Sequence, residues 1–316
     1  MVEQITIENL STGTKCSFGC DPSNMFLIKQ GGIDFGKVSA SHNTYAYPHQ
    51  SGVSISSTDI LQRTLSITGY ACVLMTKDIY TKIPIESRDA YMTEKIYEKK
   101  DVLNQLINPV DEVRIQIGDF YIDGKPNNSV VYANTVKENN QAFCKFSISI
   151  FCYDPMFKAK KSVDIPLSAS IPMFHFPLII PQNEGIIMSE RTSYHIISVQ
   201  NDGQVTVGAT FHIIAKGEVS GLTLENVLTG ESIKINKTLS AGEEILIDTE
   251  LGEERSIKGR ITGLYSDYLK YWDYRNTWMQ FPVGSSLLGY SVDYDKEFLV
   301  DISISLVPKV SNLKEQ

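Results

Sequence analysis

The sequence predicts a mainly β chain in two halves, the first combining strands with one helix and the second folded as a β-sandwich. Apolar residues alternate with period two over most of the 316 residues, and glycine-containing turn pairs interrupt the alternation at short intervals. A single stretch recurs instead at helical spacing. The length exceeds what one core usually serves, so two domains are expected.

In the first half, Leu65 and Ile67 share one strand face, Val113, Ile115 and Ile117 another, and Phe146, Ile148, Ile150 and Cys152 a third. The helix is SRDAYMTEKIYEKKDVLNQL, Ser87 to Leu106, with Met92, Ile96, Leu103 and Leu106 as its apolar stripe. Ser87 is placed to cap its start. Asn108-Pro109 is placed to stop it, because proline restricts the residue before it.

The second half reads as strand and turn. In QVTVGATFHIIAKG, Val205, Val207, Ala209, Phe211 and Ile213 point one way, and Thr206, Gly208, Thr210 and His212 the other. Leu222 and Leu224 precede a Thr229-Gly230 turn, and Ile233 and Ile235 follow it. Ala241-Gly242 makes the next turn, Ile245 and Ile247 the next strand, and Leu251-Gly252 closes it. Short antiparallel strands with one apolar face imply a partner sheet. The alternation of CYDPMFKAKKSVDIP gives way to lysines and a proline, which places the domain boundary near residue 160, dividing 1–160 from 161–316. No internal repeat is expected.

Composition excludes several classes. Hydrophobic residues make up 42% and charged residues 21%, too apolar for wholesale disorder. A net charge of -8 argues against a nucleic-acid partner. The five cysteines, Cys16, Cys20, Cys72, Cys144 and Cys152, are odd in number and form no CxxC pair, so reduced thiols are expected. The opening MVEQITIENL lacks the basic flank and apolar run of a secretory signal. No apolar run approaches the roughly 18 residues of a membrane span, HFPLIIP being a typical short one, so no membrane insertion is expected.

Catalytic and metal motifs are missing. His42, His49, His175, His195 and His212 are scattered, with no HExxH and no close His/Cys cluster. Asp293 and Asp295 lie two apart, but an acid/base couple is set by separation across a cleft and not by local spacing. Asp119 and Asp123 flank FYI in what reads as a hairpin. QGGIDFG, Gln30 to Gly36, lacks the strand-glycine-helix context of a phosphate cradle, so Gly31-Gly32 reads as a turn. Cys16 and Cys20 in CSFGC have no second pair near them, and nothing in sequence supplies a base to any cysteine. No catalytic, cofactor or metal residue is therefore assigned.

Two stretches point to surfaces. LYSDYLKYWDYRNTWMQF, Leu264 to Phe281, holds Tyr265, Tyr268, Tyr271, Trp272, Tyr274, Trp278 and Phe281. Such a density of rings suits a core, a sugar-stacking platform or a protein interface. VSASHNTYAYPHQSGVSISSTDILQR, Val38 to Arg63, has few aliphatic residues for its length and a central Pro48. It is either an arm completed by a neighbouring subunit or a long ordered surface loop.

Together these segments resemble the distal tail protein of long, non-contractile-tailed bacteriophages that infect Gram-positive bacteria. The marks are GGIDFGKVSASHNTYAYPHQSGVSISSTDILQRTLSITGY, the helix ending NQLINP, FSISIFCYDPMF, NVLTGESIKINKTLSAGEEILIDTELGE and FPVGSSLLGYSVDYD, covering nearly the whole chain. The common pattern resembles NxxTGxxIxIxxxLxxGxxIxIDT, matched by Asn226, Thr229, Gly230, Gly242, Asp248 and Thr249. The chain departs from it in VGSSLL, Val283 to Leu288, where an Asn often follows the Gly.

The resemblance implies a ring-forming hub domain over 1–160, six copies of which close into a hexamer. It implies that this first domain is a β-sandwich with one helix, and that a galectin-like β-sandwich over 161–316 is carried outside the ring. Such hubs join the tail tube to the tail-tip protein and often hold receptor-binding proteins. The implied location is the virion tail tip, after synthesis in the bacterial cytoplasm from a phage or prophage. No enzymatic activity and no cofactor go with the family. A carbohydrate-binding module stacking sugar on Trp272 and Trp278 is the alternative, and a secreted glycan-acting enzyme is the third reading.

Overall fold

A computed structural model describes residues 4–48, 51–74, 81–172, 189–193, 196–252, 254–293 and 296–313. The chain forms two compact units, residues 1–160 together with 311–316, and residues 161–310.

The first unit is built on β1 (Gln4–Asn9), β2 (Lys15–Gly19) and β3 (Phe26–Asp34), then β4 (Ala40–Tyr45), β5 (Ser54–Ile60) and β6 (Arg63–Cys72). The helix α1 (Arg88–Leu106) follows, then β7 (Val113–Ile117), β8 (Phe120–Pro126), β9 (Val131–Tyr132), β10 (Phe143–Cys152) and β11 (Phe157–Ala159). Pairing runs β8-β7-β1-β2-β3-β6-β10, with only β2 and β3 parallel among these neighbours. β10 then pairs with β8 through Ile150↔Pro126 and Phe151↔Lys125. The first sandwich is therefore one sheet folded back on itself into a barrel, which leaves these seven strands no free edge.

The inward residues are those that the alternation marks: Leu65, Ile67, Val113, Ile115, Ile117, Phe146, Ile148, Ile150 and Cys152 are all buried. Phe18, Phe26 and Phe146 form a ring cluster with centroids 5.0–6.1 Å apart. α1 is the one long helix among the described residues, and it begins one residue after the expected start. Ser87 occupies its N-cap without making a side-chain cap bond. Ile96, Leu103 and Leu106 are buried, whereas Met92, nearer the start, is only half-buried. Gly31-Gly32 is not a turn. It lies inside β3, where the register with β6 shifts between Ile28 and Ile33, and Gly31 takes φ 75° to make the bulge.

The second unit holds β12 (Val163–Pro172), β13 (Ser189–Ser193), β14 (Ile196–Asn201), β15 (Thr210–Ala215), β16 (Thr223–Asn226) and β17 (Ser232–Lys234). It continues with β18 (Glu244–Asp248), β19 (Ser256–Arg260), β20 (Ser266–Asp267), β21 (Gly284–Ser291) and β22 (Val300–Leu306). One sheet has the order β13-β12-β22-β15-β18-β19-β20 and the other β14-β21-β16-β17. Val207, Ala209, Phe211, Ile213, Leu224, Ile233, Ile245, Ile247 and Leu288 fill the core of the unit. The face expected from Val205 to Ile213 holds, although strand pairing proper starts at Thr210 and Val207 contributes a lone bridge to Phe281.

An internal repeat does exist. ITIENLSTGTKCSF (5–18) aligns with LTLENVLTGESIKI (222–235), sharing Thr6/Thr223, Glu8/Glu225, Asn9/Asn226, Thr12/Thr229 and Gly13/Gly230. Both copies build the same hairpin turn. Asn9 Oδ1 accepts from the amides of Ser11 and Thr12 at 2.9 and 3.0 Å, and Asn226 Oδ1 from those of Leu228 and Thr229 at 3.1 and 3.4 Å. In each, the glycine amide donates to the asparagine carbonyl at 2.8 Å with φ near 70°, a conformation that favours glycine. The copies differ in one respect. Asn9 Nδ2 donates to the Leu106 carbonyl at 3.2 Å and to Asp111 Oδ2 at 3.0 Å, tying the turn to the end of α1. Asn226 Nδ2 is buried with no partner among the described residues.

Candidate assembly surface

Within the stretch Val38 to Arg63, β4 and β5 form a hairpin between β3 and β6. β4 and β5 pair with each other from Ala40↔Ile60 to Tyr45↔Ser54, with a bulge between Asn43 and Thr44. Among the described residues neither strand joins another sheet. Every residue of β4 and β5 is exposed except Ser54, which is half-buried. His42 Nδ1 contacts Thr58 Oγ1 at 2.9 Å, Asn43 Nδ2 donates to Ser57 Oγ at 2.8 Å, and Ser56 Oγ donates to the Asn43 carbonyl. Tyr45 and Tyr47 meet edge to face at 5.0 Å.

A two-stranded hairpin of this kind is marginal in water on its own. Here it also holds Tyr47, Val53, Ile55 and Ile60 out of any core, Tyr47 at 61% and Ile55 at 57% exposure. Asp59 is the one charged residue between Val38 and Gln62. Exposed β-strands that avoid unwanted pairing usually carry charge on their edges. This arm lacks that protection, and among the described residues no further strand pairs with either outer edge.

The aromatic stretch of the second unit is mostly inward. Tyr268, Met279 and Phe281 are buried, and Tyr271, Trp272 and Trp278 pack against the core, the indoles 4.7 Å apart. Tyr274, at 84% exposure, is the ring most open to solvent, beside the less exposed Tyr265. The two tryptophans are thus half-buried, each with one part packed on the core of the unit.

Those residues weighed for chemistry that the structure describes do not converge. Asp123 pairs with Arg114 across β7 and β8 at 2.6 Å, and Asp119 lies in the intervening turn. His212 is on the outer face of β15, 3.6 Å from Glu244. Asp293 accepts from Ser220, while Asp295, His49, His175 and His195 lie outside the described residues. Cys16 is buried and Cys20 exposed, and all five cysteines are free thiols. Burial pushes the Cys152 thiol up to about 12, the reverse of what a nucleophile needs. Among the described residues no three His, Cys, Asp or Glu side chains are grouped to hold a metal ion. No described helix is long and apolar enough to cross a membrane.

A barrel followed by a sandwich is a fold with likenesses among solved structures. Among solved structures, the SPP1 Dit protein (gp 19.1), described as a paradigm of the hub adsorption apparatus in phages infecting Gram-positive bacteria, matches with a TM-score of 0.59. It is 11% identical, over 96% of this chain and 98% of its own. A chain of the phage P2 baseplate in its activated conformation with calcium matches with a TM-score of 0.45 at 11% identity, over 99% and 100%. At these identities the likeness is one of fold. No protein-family model matches the chain, and neither does any curated protein.

Proposed function

We propose that the chain is a distal tail protein, a structural subunit that forms a hexameric hub at the tip of a long phage tail. In this reading the first unit closes the ring between tail tube and tail-tip protein. The second decorates it and receives receptor-binding proteins. The role is mechanical, without catalysis, cofactor, nucleic acid or membrane insertion.

The observation that carries the reading is the end-to-end match with the SPP1 hub protein, which spans both units in their order. The hairpin supports it, because a subunit in a ring needs a surface that its own fold leaves open. A heterologous interface repeated by rotation consumes that surface in every copy, and obligate contacts usually bury more than about 2,000 Å².

Sedimentation of the purified chain, alone and with the tail-tip protein, tests it. A closed oligomer is expected, and shortening the hairpin between Asn43 and Ser54 should dissociate it while leaving the barrel folded. A chain that remains monomeric even with its tail partner present refutes the hub reading. The carbohydrate-binding alternative has Tyr274 as its open ring, and glycan binding lost in Tyr274→Ala would favour it instead.

A further inference from the structure

The arm is rooted on an unusual group. Its returning strand re-enters the barrel at Arg63, whose side chain is 1% exposed. The guanidinium lies 4.8 Å over the ring of Phe157, which meets Phe35 edge to face at 5.8 Å, just before the outgoing strand of the arm. Between them, Gly36 sits so close that a Cβ would come within 2.3 Å of the Thr64 carbonyl and 3.3 Å of Arg63 Cγ. The Leu61 amide donates to the Ser39 carbonyl and closes the base.

A buried guanidinium needs acceptors, and no carboxylate faces this one: Nε and Nη1 have no partner among the described residues. Nη2 donates to the backbone carbonyl of Ser311 at 2.5 Å. Ser311 belongs to the first unit, although 248 positions separate it from Arg63. The segment that begins at Ser311 follows the whole second unit in sequence, so the first unit is complete only after residues 161–310 have been made.

We propose that the segment beginning at Ser311 locks the root of the hairpin through Arg63, so that the assembly arm is set only once the chain beyond the second unit is in place. This rests on the hub reading. It adds an order to it: a partly synthesised chain holds a loosely rooted arm and does not enter a ring. Arg63 is a positioning residue, acting on the arm through Gly36, Phe157 and the Ser311 carbonyl.

Three proteins test the lock: the full chain, the same chain lacking 311–316, and full-length Arg63→Lys, which keeps the charge but loses the guanidinium fork. Amide hydrogen exchange is followed at Leu61 and residues 63–67, with residues 211–214 and 245–247 as the control, and assembly is followed by sedimentation. Both variants should exchange about 10–100-fold faster at the root, as expected for losing one hydrogen bond to a charged group. The control amides should not change, and the assembled fraction should fall. Root exchange unchanged in both variants, or raised with assembly unaltered, overturns the lock. If the shortened chain loses protection throughout β1 and β7, Arg63→Lys alone decides. A monomeric full chain counts against the hub reading, and the lock is then judged on exchange.

Discussion

The two copies of the asparagine turn allow one perturbation to be made twice in the same protein, with different expected costs. Asn9→Ala and Asn226→Ala each remove a fully buried side chain and two acceptor bonds within the turn. That shared part should cost ~1–2 kcal/mol, comparable to losing a helix cap. Asn9→Ala also strips the donor from the Leu106 carbonyl and from Asp111. Each bond lost with its partner left behind costs ~1–3 kcal/mol, so Asn9→Ala should exceed Asn226→Ala by about 2–6 kcal/mol. The gap widens because Asn226→Ala also deletes a buried donor that has no partner among the described residues.

The assay follows from where the indoles lie. Both tryptophans, Trp272 and Trp278, belong to the second unit. Tryptophan fluorescence during urea unfolding therefore reports that unit, while circular dichroism reports both. Asn9→Ala should shift the dichroism transition and leave the fluorescence midpoint in place, and Asn226→Ala should move the fluorescence midpoint modestly. Equal losses for the two variants, or a fluorescence midpoint moved as far by Asn9→Ala, would refute the accounting of bonds.

Two further outcomes are expected. Leu103→Ala empties a fully buried site on α1 and should destabilise the first unit by roughly 2–5 kcal/mol in the same dichroism assay; a loss below about 1 kcal/mol would mean that the helix is not held by its stripe. Burial pushes the Glu243 carboxyl up, but the hydrogen bonds from Lys237 and the Ser240 amide outweigh it and hold it below its ordinary value. A depressed folded value means that stability is present above the unfolded value and is lost as pH falls through the folded one. The fluorescence midpoint should thus drop as pH falls below the usual carboxylate range, and less steeply in Glu243→Gln. An equally steep drop in that variant would assign the acid sensitivity to other groups.

Much of the fold was legible because periodicity reports burial directly. The inward faces of β6, β7 and β10 and the extent of α1 could be read from the spacing of Leu65, Ile115, Phe146 and Leu103. The closure of β10 onto β8 could not, since it depends on accumulated sheet curvature and is made by two residue pairs around Pro126. Gly31-Gly32 looked like a turn because the local chemistry of a bulge and a turn is the same, and only the partner strand distinguishes them. The Asn9 and Asn226 repeat was present in the letters. It was hidden by apolar replacements on either side and by lying in different units. The arm showed itself through what it lacked, namely charge and a regular apolar face. Arg63 gave no signal, because its acceptor comes from Ser311, which no local window contains.

The twin turns also bear on how quickly the protein can begin to fold. A hairpin such as β1-β2 or β16-β17 closes a loop of only a few residues, and its asparagine, threonine and glycine supply the bonds that hold the bend before any distant strand arrives. Local closure of this kind occurs in about 1–10 μs, far ahead of pairings such as β3 with β6 or β15 with β22, whose partners are remote in sequence. Each unit thus has its own early nucleus, near the start of the chain in one case and about two-thirds along it in the other. Substitutions at Asn9 and Asn226 should then slow folding more than they hasten unfolding, so the two units would start independently and finish on separate clocks.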